Sequence, residues 1–339
     1  MIFEFIILML FCININVYAQ NYVPGNVYYD STGFVEYHAG NLPFIISVPH
    51  GGYLSPDSIP DRDCPGCKYL RDSYTQEIGR LLLERFNEKT GCYPHVVINL
   101  LHRKKFDANR NLVEASDGNP VVEKTWYGYH EFIDSAKSTI SKNYSKGLFI
   151  DLHGHAHDIQ RIELGYLLSK SELQLEDQYL NSDIYINKSS IRNLVYVNLH
   201  NSFLSELLRG DFSLGDILQN KGFASVPSRA NPFPKDNEPY FSGGYNTGRH
   251  GSSVDGTVDA VQLELNHDIR FDDELRSVFV DSLVEALIEY YNLNYNSEFN
   301  GKFCKILNVD DVLSGCDVIK IYPNPVKNSL NISGCIKDM

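Results

Sequence analysis

Four short apolar runs recur along the chain: FIISV (Phe44–Val48), VVINLL (Val96–Leu101), LFIDL (Leu148–Leu152) and VQLEL (Val261–Leu265). Near-continuous runs of this length, instead of alternating ones, suit strands covered on both faces. Helical patterns separate them. From Ser73 to Lys89 the apolar stripe is Tyr74, Ile78, Leu81, Leu82 and Phe86, with Gly91 as a stop signal. From Val122 to Tyr144 it is Trp126, Phe132, Ile133, Ala136 and Ile140, and from Glu274 to Tyr291 it is Val278, Leu283, Ala286, Leu287 and Tyr290. Strands alternating with helices predict an α/β fold, with a mostly parallel or mixed central sheet flanked by helices. Residues 225–257 carry no periodicity and are rich in Gly, Pro, Ser and Asn. A loop of that length in a compact domain reads as an active-site cover.

The runs share a second property, which is that reactive residues collect at their ends. FIISV leads to His50-Gly51-Gly52, VVINLL to HRKKFDANR, and LFIDL to His153, while VQLEL contains Glu264. Ligands of open α/β sheets bind beyond the carboxyl ends of the strands. That rule puts His50, Arg103, Arg110, His153 and Glu264 along one rim. Net charge is −13, so the chain repels phosphate backbones and nucleic acid is not an expected partner. No G-x-S-x-G elbow is present, which argues against a serine hydrolase.

These residue types suit a zinc hydrolase. Such a site takes three protein ligands, an open position, a base for a water proton and a cation for an anionic group. His50 and His153 are imidazole ligands on separate strands, and the glycines after them let the backbone turn and leave room for substrate. The third ligand is Asp72 or Glu77, both in RDSYTQEI. Asp72 is preferred, because the loop after His50 can fold back and bring a helix start to the first strand. An N-cap is its plain structural role. Arg110 offers a planar fork to a substrate carboxylate, and Arg103 a cation for the oxyanion. Glu264, flanked by Leu263 and Leu265, is costly to bury unless paired or functional. His155 and His157, which complete the HGHAH stretch, read as supporting partners or substrate contacts.

In this order, the segments resemble the N-formylglutamate amidohydrolase family. The matching stretches are SVPHGG, RDSYTQEI, the Asn-Arg pair of LHRKKFDANR, DLHGH and VQLELN, over about residues 44–270. That family is distantly similar to zinc carboxypeptidases and aspartoacylase-type deacylases. The resemblance implies a phosphorylase/hydrolase-like fold with one zinc per chain, held by His50, His153 and, at the acidic position, Asp72. It implies Glu264 as general acid/base, Arg110 with Asn109 at the substrate carboxylate, and Tyr245 and His250 of GGYNTGRHG as substrate contacts. DLHGHAH is richer in histidine than the family's usual strand end.

Residues 1–20 read as a secretory signal, with an apolar stretch from Phe5 to Cys12 and VYAQ near a cleavage point. That stretch is well short of the ~20 residues that span a bilayer. Cys64 and Cys67 of DCPGC are expected to bridge, since a zinc knuckle would need a second such pair. IYPNPVKNSLNIS (Ile321–Ser333) resembles the start of a type IX secretion sorting domain, truncated at Met339, with the secretion machinery as its partner. The expected organisation is signal 1–20, catalytic domain 21–300, linker 301–315 and sorting segment 316–339. The expected protein is secreted or held at the cell surface. It is a zinc-dependent hydrolase of an N-acyl amino acid or a peptide end, with a small-molecule or peptide substrate that carries a carboxylate. The rivals are a secreted carboxypeptidase or cell-wall peptide amidase with the same metal site, and a non-catalytic binding protein that keeps the fold.

Overall fold

A computed structural model describes residues 22–253 and 255–299, and the backbone of Lys320–Tyr322 and Asn331–Ser333. The signal segment, the linker and most of the sorting segment lie outside the described residues. Lys320–Tyr322 and Asn331–Ser333 pair antiparallel. No helix among the described residues is long and apolar enough to cross a membrane.

One eight-stranded sheet organises the chain. Its strands are β1 (Val27–Tyr29), β2 (Val35–His38), β3 (Phe44–Val48), β4 (His95–Asn99), β5 (Gly147–Gly154), β6 (Ile162–Gly165), β7 (Ser225–Val226) and β8 (Val258–Leu265). The order across the sheet is β1-β2-β4-β3-β5-β8-β6-β7. The central strands β4-β3-β5-β8 run parallel, whereas β1-β2, β2-β4 and β6-β8 are antiparallel, so the sheet is mixed. The four apolar runs of the sequence are these four central strands. Strand β4 ends earlier than VVINLL does, because the Asn99 side chain bonds the Pro49 and Leu101 carbonyls and turns the chain.

Alternation along the strands builds two cores. Phe44, Ile46, Val48, Ile150, Leu152 and Leu263 face the helices Thr75–Thr90 and Asp273–Asn294. Ile45, Val97, Phe149 and Ala260 face the helix Pro120–Tyr144 through Trp126, Tyr129 and Ile133. This second face is apolar only over the first half of each strand. Ser47, Asp151, His153, Gln262 and Glu264 follow at the same parity, toward the carboxyl ends. The sheet register thus positions a polar site on one face, at one end.

The segment 225–257 is not the featureless loop the sequence suggested. It holds β7 and a short helix, Tyr245–His250. Asn246, in that helix, is fully buried and donates to Asp151 Oδ1 at 3.2 Å. Without periodicity to mark them, these elements depend on tertiary contacts.

At the opposite end of β8, Asp259 is fully buried. It accepts from the Ser252 hydroxyl, the Asn193 amide, the Leu194 N–H and the Tyr295 hydroxyl. Burial nevertheless pushes its carboxyl up to about 6. The folded form therefore holds this proton more tightly than the unfolded chain does. Stability from this group is full below about pH 4 and is lost as pH rises through about 6, a change of about 3 kcal/mol. Urea unfolding at a series of pH values should show that decline, and Asp259→Asn should flatten it. An equal slope in the variant would refute the assignment.

Candidate metal centre

His50 follows β3 and His153 lies near the end of β5, the neighbouring parallel strand. Their rings sit 4.8 Å apart, centroid to centroid. Asp72 reaches them because its N–H donates to the His50 carbonyl at 3.0 Å, closing the loop after β3 onto the strand end. Its carboxylate does not cap the helix Thr75–Thr90, whose N-cap is Tyr74 at φ 68° with no side-chain cap bond. Instead Asp72 Oδ2 stands 3.2 Å from His50 Nδ1 and 3.1 Å from His153 Nδ1. Glu77, the alternative third ligand, bonds the Tyr53 hydroxyl and stays out of the cluster.

The remaining ring nitrogens are held by carboxylates. His50 Nε2 lies 2.6 Å from Asp107 Oδ1, and His153 Nε2 lies 2.8 Å from Asp151 Oδ2. A proton on each Nε2 leaves both Nδ1 lone pairs and an Asp72 oxygen converging on one point. Such a convergence requires a cation there, either a proton or a metal ion. Donors ~2.0–2.1 Å from a tetrahedral zinc stand about 3.3 Å apart, close to the 3.2 and 3.1 Å that separate Asp72 Oδ2 from the two Nδ1 atoms. A carboxylate behind each imidazole is the usual backing of a zinc-ligating histidine. The donor set therefore fits the ion that the sequence resemblance implies.

Electrostatics point the same way. Burial alone would raise the Asp72 carboxyl, but His50 and His153 hold it below the ordinary carboxylate range. Asp107, likewise buried, is kept well below that range by His50, Arg103 and Arg110. Burial would lower His153, yet Asp151, Asp72 and Glu264 together hold its imidazole well above the usual value.

Glu264 pairs in register with His153 across β5 and β8, on the same face. Its Oε1 accepts from Gln262 at 2.9 Å. Burial lifts its carboxyl to about 8, His153 opposes the rise, and Asp72, Glu163 and Asp151 add to it. A cation beside it would draw it back down into the range of a working general base.

Several residues have other positions than the sequence suggested. Arg103, expected at the oxyanion, instead donates Nε to Asp107 at 3.1 Å and brings Nη1 within 3.6 Å of Asp72, so it braces the ligand set. Asn109, expected at substrate, is buried, with its amide 3.3 Å from His153 Nε2 and its Oδ1 accepting the Asn246 N–H. His250, expected at substrate, is fully buried and pairs with His130 at 2.9 Å. Tyr245 packs toward Trp126 and His130. Arg110 remains partly exposed, with Nη1 on the Asn109 carbonyl and Nε 3.9 Å from Glu114. The glycines do not make room for substrate. A Cβ on Gly51 would meet the Gln76 N at 2.7 Å, and one on Gly154 the Arg270 Nε at 2.3 Å. These spaces belong to the helix start and to Arg270, which ties the His155, Leu265 and Ser73 carbonyls together. Cys64 and Cys67 are bridged, and the buried Arg62 guanidinium lies 3.1 Å from Cys67 Sγ and 3.7 Å from Asp107.

Asp107, Asp151, Asn246 and Arg62 escaped the sequence reading. Asp151 carried a usable signal, standing two residues before His153 and so on the same strand face. Asp107 lies in a loop, and no pattern marks it.

Neither family models nor curated proteins match the chain. Among solved structures, it is similar to N-formylglutamate amidohydrolase from Ralstonia eutropha JMP134, at 12% identity and a TM-score of 0.45, covering 80% of this chain and 98% of that one. A gene product of Agrobacterium tumefaciens aligns at 11% identity and a TM-score of 0.43, over 76% and 94% of the two chains. Succinylglutamate desuccinylase from Chromobacterium violaceum aligns at 12% identity and a TM-score of 0.34, over 80% and 74%.

Proposed function

We propose that this chain is a zinc-dependent hydrolase that cleaves the amide bond of an N-acyl amino acid or a peptide end. The observation that carries the reading is the paired histidine arrangement. Two imidazoles, each backed by a buried carboxylate, turn their other nitrogens onto Asp72 beside a buried Glu264. His50, Asp72 and His153 would hold the ion. Zinc in such a site supplies Lewis acidity and lowers the pKa of water from about 15.7 toward ~7. The protein's own part is then positional and acid–base. Asp107 and Asp151 fix the two rings, and Arg103 steadies Asp72 and Asp107. Glu264 accepts a proton from the attacking water and returns it to the departing amine nitrogen. Arg110, partly exposed, anchors a substrate carboxylate. The Cys64–Cys67 bridge supports a place outside the cytoplasm, where such bonds persist.

A panel of N-formyl, N-acetyl and N-succinyl amino acids, set against short peptides, tests this with zinc-loaded protein. Hydrolysis of one class, with KM raised by at least about tenfold in Arg110→Ala for substrates with a free carboxylate, is the expected result. A fully metallated protein that turns over nothing in the panel favours the binding-protein alternative.

A further inference from the structure

The metal centre uses only the first histidine of the HGHAH stretch. We propose that His155, His157 and Glu163 form a second site for a divalent transition-metal ion, separate from the His50–Asp72–His153 centre. Their donor atoms lie within 4.8 Å of one another.

Backbone geometry brings them together. Beyond Gly154 the His155 N–H still donates to the Leu265 carbonyl at 2.9 Å, so the chain leaves the sheet only after His155. It returns as β6, which carries Glu163. His155 is buried, and its Nε2 donates to the Arg161 carbonyl at 2.8 Å. That bond fixes the tautomer and leaves a lone pair on Nδ1. A backbone carbonyl behind an imidazole is common support for a metal ligand. His155 Nδ1 accepts the His157 N–H at 3.1 Å, and this is the contact an ion would displace. His157 Nδ1 stands 2.9 Å from Glu163 Oε1, and its ring stacks on Phe241 at 4.7 Å.

Charge supplies the stronger argument. Glu163 is completely buried, and its Oε2 accepts the Phe241 N–H at 2.8 Å. Among the described residues His157 is its one ion-pair partner, and no Lys or Arg stands within that reach. The β6–β8 register sets Glu163 directly opposite Glu264 on the same face. Two buried carboxylates on adjacent strands repel, and a buried carboxylate is costly unless a cation or several donors compensate it. A cation bound to Glu163 relieves both terms. Two imidazoles and one carboxylate suit zinc, cobalt(II) or nickel(II) better than calcium or magnesium. The His157 side chain is 19% exposed, which leaves an entry path.

Metal stoichiometry of the full chain tests the proposal. Stripped protein is reloaded with zinc, or with cobalt(II) for its visible spectrum, and the ions are counted by native mass spectrometry. Wild type should take up two ions. His157→Ala and Glu163→Gln should each take up one, and so should His50→Ala. Glu163→Gln preserves shape and the Phe241 bond, so it guards against a folding defect in His157→Ala. One ion in wild type, kept by both His157→Ala and Glu163→Gln, overturns the second site and leaves the first centre standing. One ion kept by His50→Ala but lost in Glu163→Gln overturns the first centre and leaves the second.

Discussion

Glu264→Gln should lower kcat by about 10²–10⁴-fold while the first metal centre stays loaded. The substitution keeps the volume of a side chain that is almost fully buried and keeps an acceptor for Gln262. It removes the one carboxylate that stands in register beside His153 without touching the His50–Asp72–His153 donors. It also removes one of the two carboxylates that face each other across β6 and β8, so stability should hold or rise slightly. Steady-state kinetics on the best substrate, paired with metal analysis of the same sample, decide the matter. Near-wild-type turnover with a full complement of metal would falsify the acid–base role. Loss of both metal and turnover would instead recast Glu264 as a ligand.

The second large effect concerns the ligand shell. His50→Ala should abolish binding at the first centre, whereas Asp107→Asn, which touches no metal, should weaken it by about 10–100-fold. Asp107 sits 2.6 Å from His50 Nε2 and is itself held by Arg103, so it orients the ring. Affinity should also rise with pH. Asp151 and Asp72 keep a proton on His153 well above the usual imidazole range, and that proton must leave before a metal can bind. Competition against a zinc-binding indicator at several pH values measures both effects. A pH-independent affinity, or an Asp107→Asn variant that binds as tightly as wild type, counts against the arrangement.

Much of the fold was legible in the sequence. The runs from Phe44, Val96, Leu148 and Val261 became the four parallel central strands, and the long helical stripes became the helices that cover them. Gly91 ends the helix Thr75–Thr90 in the left-handed conformation, as a stop signal should. The outer strands were not legible. β1, β2, β6 and β7 are short, and apart from the β1–β2 hairpin their pairing partners lie far along the chain, so no apolar run announces them.

For the site, the residues on strands were the readable ones. Reactive residues at the ends of apolar runs mark a rim, so His153 and Glu264 could be placed at one end of the sheet from the sequence; that they share a face follows from the β5–β8 register. The sequence favoured Asp72 over Glu77 only by supposing that the loop after His50 folds back, and it could not find Asp107. These depend on how loops close: Asp72 lies 22 residues from His50 and 81 from His153, and Asp107 lies 57 from His50. The same limit misplaced His250. Its motif resembled a substrate contact, but packing of the helix Tyr245–His250 against the helix Pro120–Tyr144 turned the ring onto His130. The sequence by itself determined a sheet with a reactive edge. Only the tertiary structure decided which carboxylates meet which imidazoles there, because that meeting is set by loop closure and desolvation, which no short-range pattern encodes.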